Sequence, residues 1–170
     1  MAIDIRGLAT DDWQNYKESR LRALRLAPTA YTSNYDDQVD YPDTFFQQRA
    51  TFLPHNFIFA AWQENQIVGT AGGFIEQETK RRHIGHIVGV WVEPEFRRQG
   101  IARDLTQAAI DQLKRHPDVT IIQIAATATN TGAVTLYESM GFERYGLEPQ
   151  ALQHEGVFYD EVTMAMPVAR

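Results

Sequence analysis

The chain has 170 residues, 44% of them apolar and 22% charged, with a net charge of −6 at pH 7 and no cysteine. A chain of this length buries about two thirds of its unfolded surface, so it needs no metal or disulfide to hold a core. The missing cysteine excludes disulfides, thiolate zinc sites, iron–sulfur clusters and a cysteine nucleophile, and the acidic balance argues against a nucleic-acid binder.

The N-terminal run Met1-Ala2-Ile3-Asp4-Ile5-Arg6 lacks the basic and long apolar regions of a secretion signal. The longest apolar runs, such as Phe57 to Trp62, are too short to cross a bilayer. No repeat, linker or low-complexity stretch interrupts residues 1–170, which read as one soluble, cytoplasmic domain with no membrane partner. Ile3 to Arg6 reads as a short first strand. Thr10-Asp11-Asp12 offers an N-cap and first-turn acids for a helix whose stripe is Trp13, Tyr16, Leu21 and Leu24. Residues 27–42 hold at most a short helix and carry Asp36, Asp37 and Asp40, with Asp43 just beyond.

Phe45 to Phe52 reads as a helix closed by Pro54. Phe57 to Trp62 reads as a buried strand, Glu64-Asn65 as a turn and Gln66 to Glu76 as the hairpin partner. His86 to Val92 is a third long strand, stopped by Pro94. Gly100 to Arg115 fits a helix with Ile101, Leu105, Ala109 and Leu113 on one face. Thr120 to Ala126 is the next strand, Ala133 to Met140 a helix closed by Gly141, and Val157 to Met166 a closing strand. Strands followed by helices in the second half give an α/β (α+β) domain with a mixed sheet.

One segment carries chemistry: Val90-Trp91-Val92-Glu93-Pro94-Glu95-Phe96-Arg97-Arg98-Gln99-Gly100-Ile101-Ala102-Arg103. It is a strand, a basic glycine-bearing turn, then a helix. A helix start exposes unpaired N–H groups and about half a positive charge, which suits phosphate. The P-loop pattern and the triple-glycine dinucleotide fingerprint are both absent.

Arg97-x-x-Gly100-x-Ala102, led in by Val92-x-Pro94, resembles the Gln/Arg-x-x-Gly-x-Gly/Ala signature of the GNAT acetyltransferases. Downstream, Asn130-x-x-Ala133-x-x-x-Tyr137-x-x-x-Gly141-Phe142 is similar to that superfamily's second motif. The resemblance implies a central, mostly antiparallel mixed sheet flanked by helices, and acetyl-CoA as cosubstrate with no metal. It implies that Trp91 and Val92 serve the pantetheine arm. Arg97, Arg98, Gln99, Gly100, Ile101, Ala102 and Arg103 would form the pyrophosphate loop, and Asn130, Ala133 and Tyr137 the second wall. Ala133 and Tyr137 are four apart and share a helix face, where the small residue leaves room for the arm.

The implied activity is transfer of acetyl from acetyl-CoA to a primary amine of a small molecule. Protein N-termini or lysines, and a non-catalytic coenzyme A sensor, are the alternatives. A lysine-like amine has a pKa of about 10.4, so its free-base form costs roughly 4 kcal/mol at pH 7. Tyr137 matches the family's proton donor to the leaving thiol. His86, eleven residues before Arg97, is the base candidate. It reads equally as a strand histidine bonded to its neighbours, with Glu76 as the substitute if that side chain faces the cleft. His83 reads as solvated. Asp36, Asp37, Asp40 and Asp43 would draw cationic amines by their field, or are solvated surface acids. The acceptor's identity is open, and a homodimer is the default assembly.

Overall fold

The computed structural model describes residues 2–169. One seven-stranded sheet runs through it in the order β1-β2-β3-β4-β5-β7-β6. The strands are β1 (Asp4–Gly7), β2 (Asn56–Gln63), β3 (Gln66–Ile75), β4 (Ile84–Val92), β5 (Ile121–Thr127), β6 (Glu143–His154) and β7 (Val157–Pro167). All neighbours pair antiparallel except β4 and β5, which are parallel. The helices are α1 (Trp13–Leu26), α2 (Tyr35–Gln38), α3 (Asp43–Ala50), α4 (Ile101–Lys114) and α5 (Thr131–Ser139). Because parallel neighbours cannot be joined by a hairpin, α4 makes the crossover between β4 and β5.

Helices cover both faces of the sheet, which explains why β2 is a continuous apolar run instead of an alternating one. Ile58, Ala60 and Trp62 pack under α1 and α3 with Tyr16 and Phe46. Phe57 and Ala61 face the other way, toward the layer that holds α4. The α4 stripe is as expected: Ile101, Leu105, Ala109 and Leu113 are all buried. Burying a leucine such as Leu113 contributes about 2–3 kcal/mol of transfer free energy.

The start of α1 is tied to β1 by charge. Thr10–Asp12 forms a single 3-10 turn, and the Asp12 carboxylate accepts from the Ala9 N–H at 2.8 Å and from Arg6 at 2.7 and 3.1 Å. The Arg6 hydrogen bonds hold Asp12 below the usual carboxylate range.

One long strand is illegible from residue pattern. β6 is exposed on both sides over Glu143–Gln150 and includes Gly146 and Pro149, so it has no apolar alternation. The structure forms it by hairpin closure onto β7. Glu155 and Gly156 both have positive φ, 48° and 79°, the backbone a two-residue hairpin requires.

A bulge shapes the middle of the sheet. Thr70 pairs with Trp91 but Gly72 pairs with Val88, so β4 carries one residue more than β3 over this stretch. Gly89 takes φ +63° there, a conformation glycine adopts without penalty. The β4–β5 ladder covers only Ile84–Ile87 against Ile121–Ile124. Beyond Ile87 the two strands separate, and a gap opens in the sheet.

Candidate active site

On the α4 side of that gap lies a cleft of about 440 Å³. Of the residues expected from the loop and second motif, Trp91, Val92, Arg97, Arg98, Gly100, Ile101, Ala102, Arg103, Asn130, Ala133 and Tyr137 all line it. Gln99 does not; its side chain folds back to the Glu95 carbonyl at 3.4 Å. Gly132 and Leu136 of α5 also line the cleft.

The loop is built so that backbone, not side chain, faces the cleft. Arg98 and Gly100 both have positive φ, 61° and 83°. A Cβ built on Gly100 would meet nothing within 4 Å, so that position opens onto free space. No side chain caps α4, which leaves its first amides available to a ligand. Arg97 donates from Nε to the Val92 carbonyl at 3.0 Å, bracing the turn against β4. Arg103 donates to Ser139 Oγ at 2.7 Å and ties α4 to α5 across the cleft. Asn130 caps α5, accepting from the Ala133 N–H at 3.3 Å. These three side chains therefore hold the walls in place. Trp91 is buried with its indole N–H unpartnered.

Tyr137 stands where the cleft meets the sheet. It is 5% exposed and packs edge-on against Phe142, with ring centroids 6.2 Å apart. Burial pushes its phenol well above the ordinary value.

From Tyr137 a narrow passage of about 60 Å³ runs through the gap, past Val88, Gly89, Val90 and Ala125–Thr127, to Tyr31. It shares Tyr31, Val88, Gly89 and residues 125–127 with a second pocket of about 280 Å³ on the opposite face. Residues from α1 (Arg20), the 30–33 loop (Tyr31, Thr32, Ser33), α3 (Arg49), β6 (Leu152) and β7 (Glu161) wall this pocket together with β4 and β5. None of these side chains carried a sequence signal. They come from elements up to 141 positions apart, from Arg20 to Glu161, and only the fold assembles them. Burial, then the opposing Glu148, raises the Glu161 carboxyl above the ordinary range.

His86 stands outside the three cavities. It shares a face of β4 with Val88, yet it lines neither the cleft, the passage nor the second pocket. Its Nε2 is 3.0 Å from Glu76 Oε1, and its ring stacks on Phe74 at 4.6 Å. Glu76 is held in turn by Arg81 at 2.8 Å and sits below the ordinary carboxylate range for that reason first, and for His86 second. Of the two readings of His86, the geometry favours the strand histidine bonded to its neighbours. Asp36, Asp37, Asp40 and Asp43 are exposed, none of them lines the second pocket, and Asp43 pairs with Lys17 at 2.7 Å. They are solvated acids.

Comparison with known proteins bears on the family and the fold. Residues 18–142 match the family described as Acetyltransferase (GNAT) family. The chain is 34% identical over 87 residues to the ribosomal protein bS18-alanine N-acetyltransferase of Salmonella typhimurium, covering 49% of this chain and 55% of that one. The chain thus spans about half the length of such relatives. It is 24% identical to the L-amino acid N-acetyltransferase AaaT of Escherichia coli over 96% of both chains. The fold superposes on that of yncA from Salmonella typhimurium, solved with acetyl-CoA and described as a putative acetyltransferase. The TM-score is 0.79 at 19% identity, over 100% of this chain and 96% of that one.

Proposed function

The chain belongs to the acetyltransferase (GNAT) family, and from that premise we propose that it transfers the acetyl group of acetyl-CoA to the primary amine of a small molecule. The observation that carries this reading is the continuity of the two cavities. A cleft beside an uncapped helix start and a charged pocket on the other face are bridged, through the gap in the sheet, by the passage between Tyr137 and Tyr31.

The cleft fits acetyl-CoA by its chemistry. The α4 amides and the open Gly100 suit a pyrophosphate, with the Arg98 charge beside them. The apolar wall of Val90, Ala133 and Leu136 suits a pantetheine arm. When bound, acetyl-CoA supplies an activated acyl carbonyl and a thiolate leaving group.

The chain's own groups then manage position and protons. The stretch of β4 beyond Ile87 has no ladder to β5, and that unpaired edge is where a developing oxyanion would find backbone donors. As the N–C bond forms and the C–S bond breaks, the amine sheds a proton to the acceptor side and the sulfur gains one. Tyr137 donates a hydrogen bond to that sulfur. Its raised pKa makes complete proton transfer costly, so it acts by hydrogen bonding, with the proton completed from solvent.

A pocket of about 280 Å³ favours a small acceptor over a folded protein surface. The test is calorimetry with acetyl-CoA, followed by free-thiol release with amino acids, polyamines and N-terminal peptides. Binding without thiol release on any amine would make the chain a coenzyme A sensor.

A further inference from the structure

The pocket on the far side of the gap is charged in a specific way. Arg20 and Arg49 both line it, and neither has a carboxylate within 4.0 Å among the described residues. Arg20 is held in place all the same: its Nε donates to Gln38 Oε1 at 3.2 Å and its guanidinium lies 4.7 Å from the Tyr31 ring centre. Both arginines are half-buried, and a guanidinium in that position wants an anion. The one acid lining the pocket is Glu161, on β7 opposite Thr127 of β5. Thr127 also lines the passage that leads to Tyr137. An acid therefore stands on the strand paired with the one that borders the passage, while two arginines, Arg20 held in place, come from the helices that wall the pocket.

Resting on the transfer reading above, we propose that the acceptor is a primary amine that carries its own carboxylate, an α-amino acid in the simplest form, with its carboxylate on Arg20 and Arg49 and its ammonium on Glu161. Guanidinium forks match a carboxylate with paired hydrogen bonds. With the carboxylate anchored under the helices, the amine points to the sheet and the passage, where the acetyl group arrives. Glu161 accepts the ammonium proton, and the freed nitrogen pair attacks. Glu161 is raised by its burial and by Glu148, which brings its affinity for that proton closer to working pH. Val88 and Leu152 are among the apolar residues of the wall, against which an aliphatic side chain would rest. The net of two cations and one acid disfavours polyamines, which would place a second ammonium against the arginines.

The test is acetyl-CoA-dependent thiol release with the common L-amino acids. Each is compared with its carboxamide, its decarboxylated amine, its aminophosphonate analogue and a peptide bearing it at the N-terminus. Free amino acids should exceed the carboxamides and decarboxylated amines in kcat/KM by roughly 10- to 100-fold, the worth of one or two charge-assisted hydrogen bonds. Arg49→Gln should raise the KM of the free amino acid by about the same factor, leave acetyl-CoA affinity unchanged and erase the preference over the carboxamide. Arg49→Lys should recover part of it. A chain that binds no acetyl-CoA fails at the transfer reading instead. One that binds it but prefers decarboxylated amines, peptides or phosphonates, or turns over no carboxylate-bearing amine, overturns this inference and leaves the other standing.

Discussion

The Tyr137 side chain is packed against Phe142, and the same burial that fixes the ring holds the proton on its oxygen. The hydroxyl is therefore a donor throughout the neutral range and beyond. Tyr137→Phe preserves the ring and removes only that donor, so acetyl-CoA affinity should be retained while kcat falls about 10²-fold or more. Calorimetry and initial rates check this; a fall below about tenfold would assign Tyr137 to packing alone. Glu161 poses the opposite problem, because it must lose its proton to act. Its folded pKa is raised, so the active, ionised form appears only as pH rises through that raised value. The acid limb of kcat/KM should follow this carboxyl, raised by its burial and by Glu148 across the hairpin; Arg20, Arg49 and Tyr31 are the other titratable groups around the pocket. Glu161→Gln should abolish the limb and slow turnover about 10²–10⁴-fold, whereas His86→Ala should leave the limb where it is. A limb that vanishes with His86 instead would return the base role to that residue.

Elements are positioned here by a few special backbone conformations. Gly89 allows the bulge that pulls β4 away from β5, and Gly100 turns the chain into α4 with its first amides bare. A side chain at φ +83° costs about 1–2 kcal/mol and would fill the space a ligand approaches through. Gly100→Val should accordingly weaken acetyl-CoA binding by at least about tenfold in calorimetry. Arg98→Ala, which removes one solvated charge and no amide, should weaken it only a few-fold. Equal losses in the two variants would mean that side-chain charge, not the helix start, holds the donor. The buried Glu93, 1% exposed, plays a similar bracing role, pairing with Arg22 of α1 at 2.7 Å just where β4 ends.

Across the whole molecule, the cleft beside α4 and the pocket under α1 and α3 lie on opposite faces of one sheet and share only the passage through it. No cysteine is present to carry an acyl group between them, and the Thr127 hydroxyl in the passage is committed to the Thr29 carbonyl. The arrangement suits both substrates bound together, with the amine attacking directly. Initial-rate plots against either substrate should intersect; parallel lines would demand a covalent acyl intermediate that this arrangement does not provide.

The residue order by itself determined the features governed by local spacing. The α4 stripe, the apolar run of β2, the glycine turn before α4 and the second motif on α5 are all set by neighbours within a few residues, and the cleft they line was legible from them. β6 was not, because an edge strand with two exposed faces needs no apolar period and owes its existence to pairing with β7. His86 had the right place on its strand, but a register decides its partner: β3 pairing sets Phe74 beside it and brings Glu76 within reach. The pocket proposed for the acceptor was wholly a product of tertiary structure. Arg20, Arg49 and Glu161 are ordinary surface-type residues in sequence, and they line one pocket only because two helices and four strands close around a gap in the sheet.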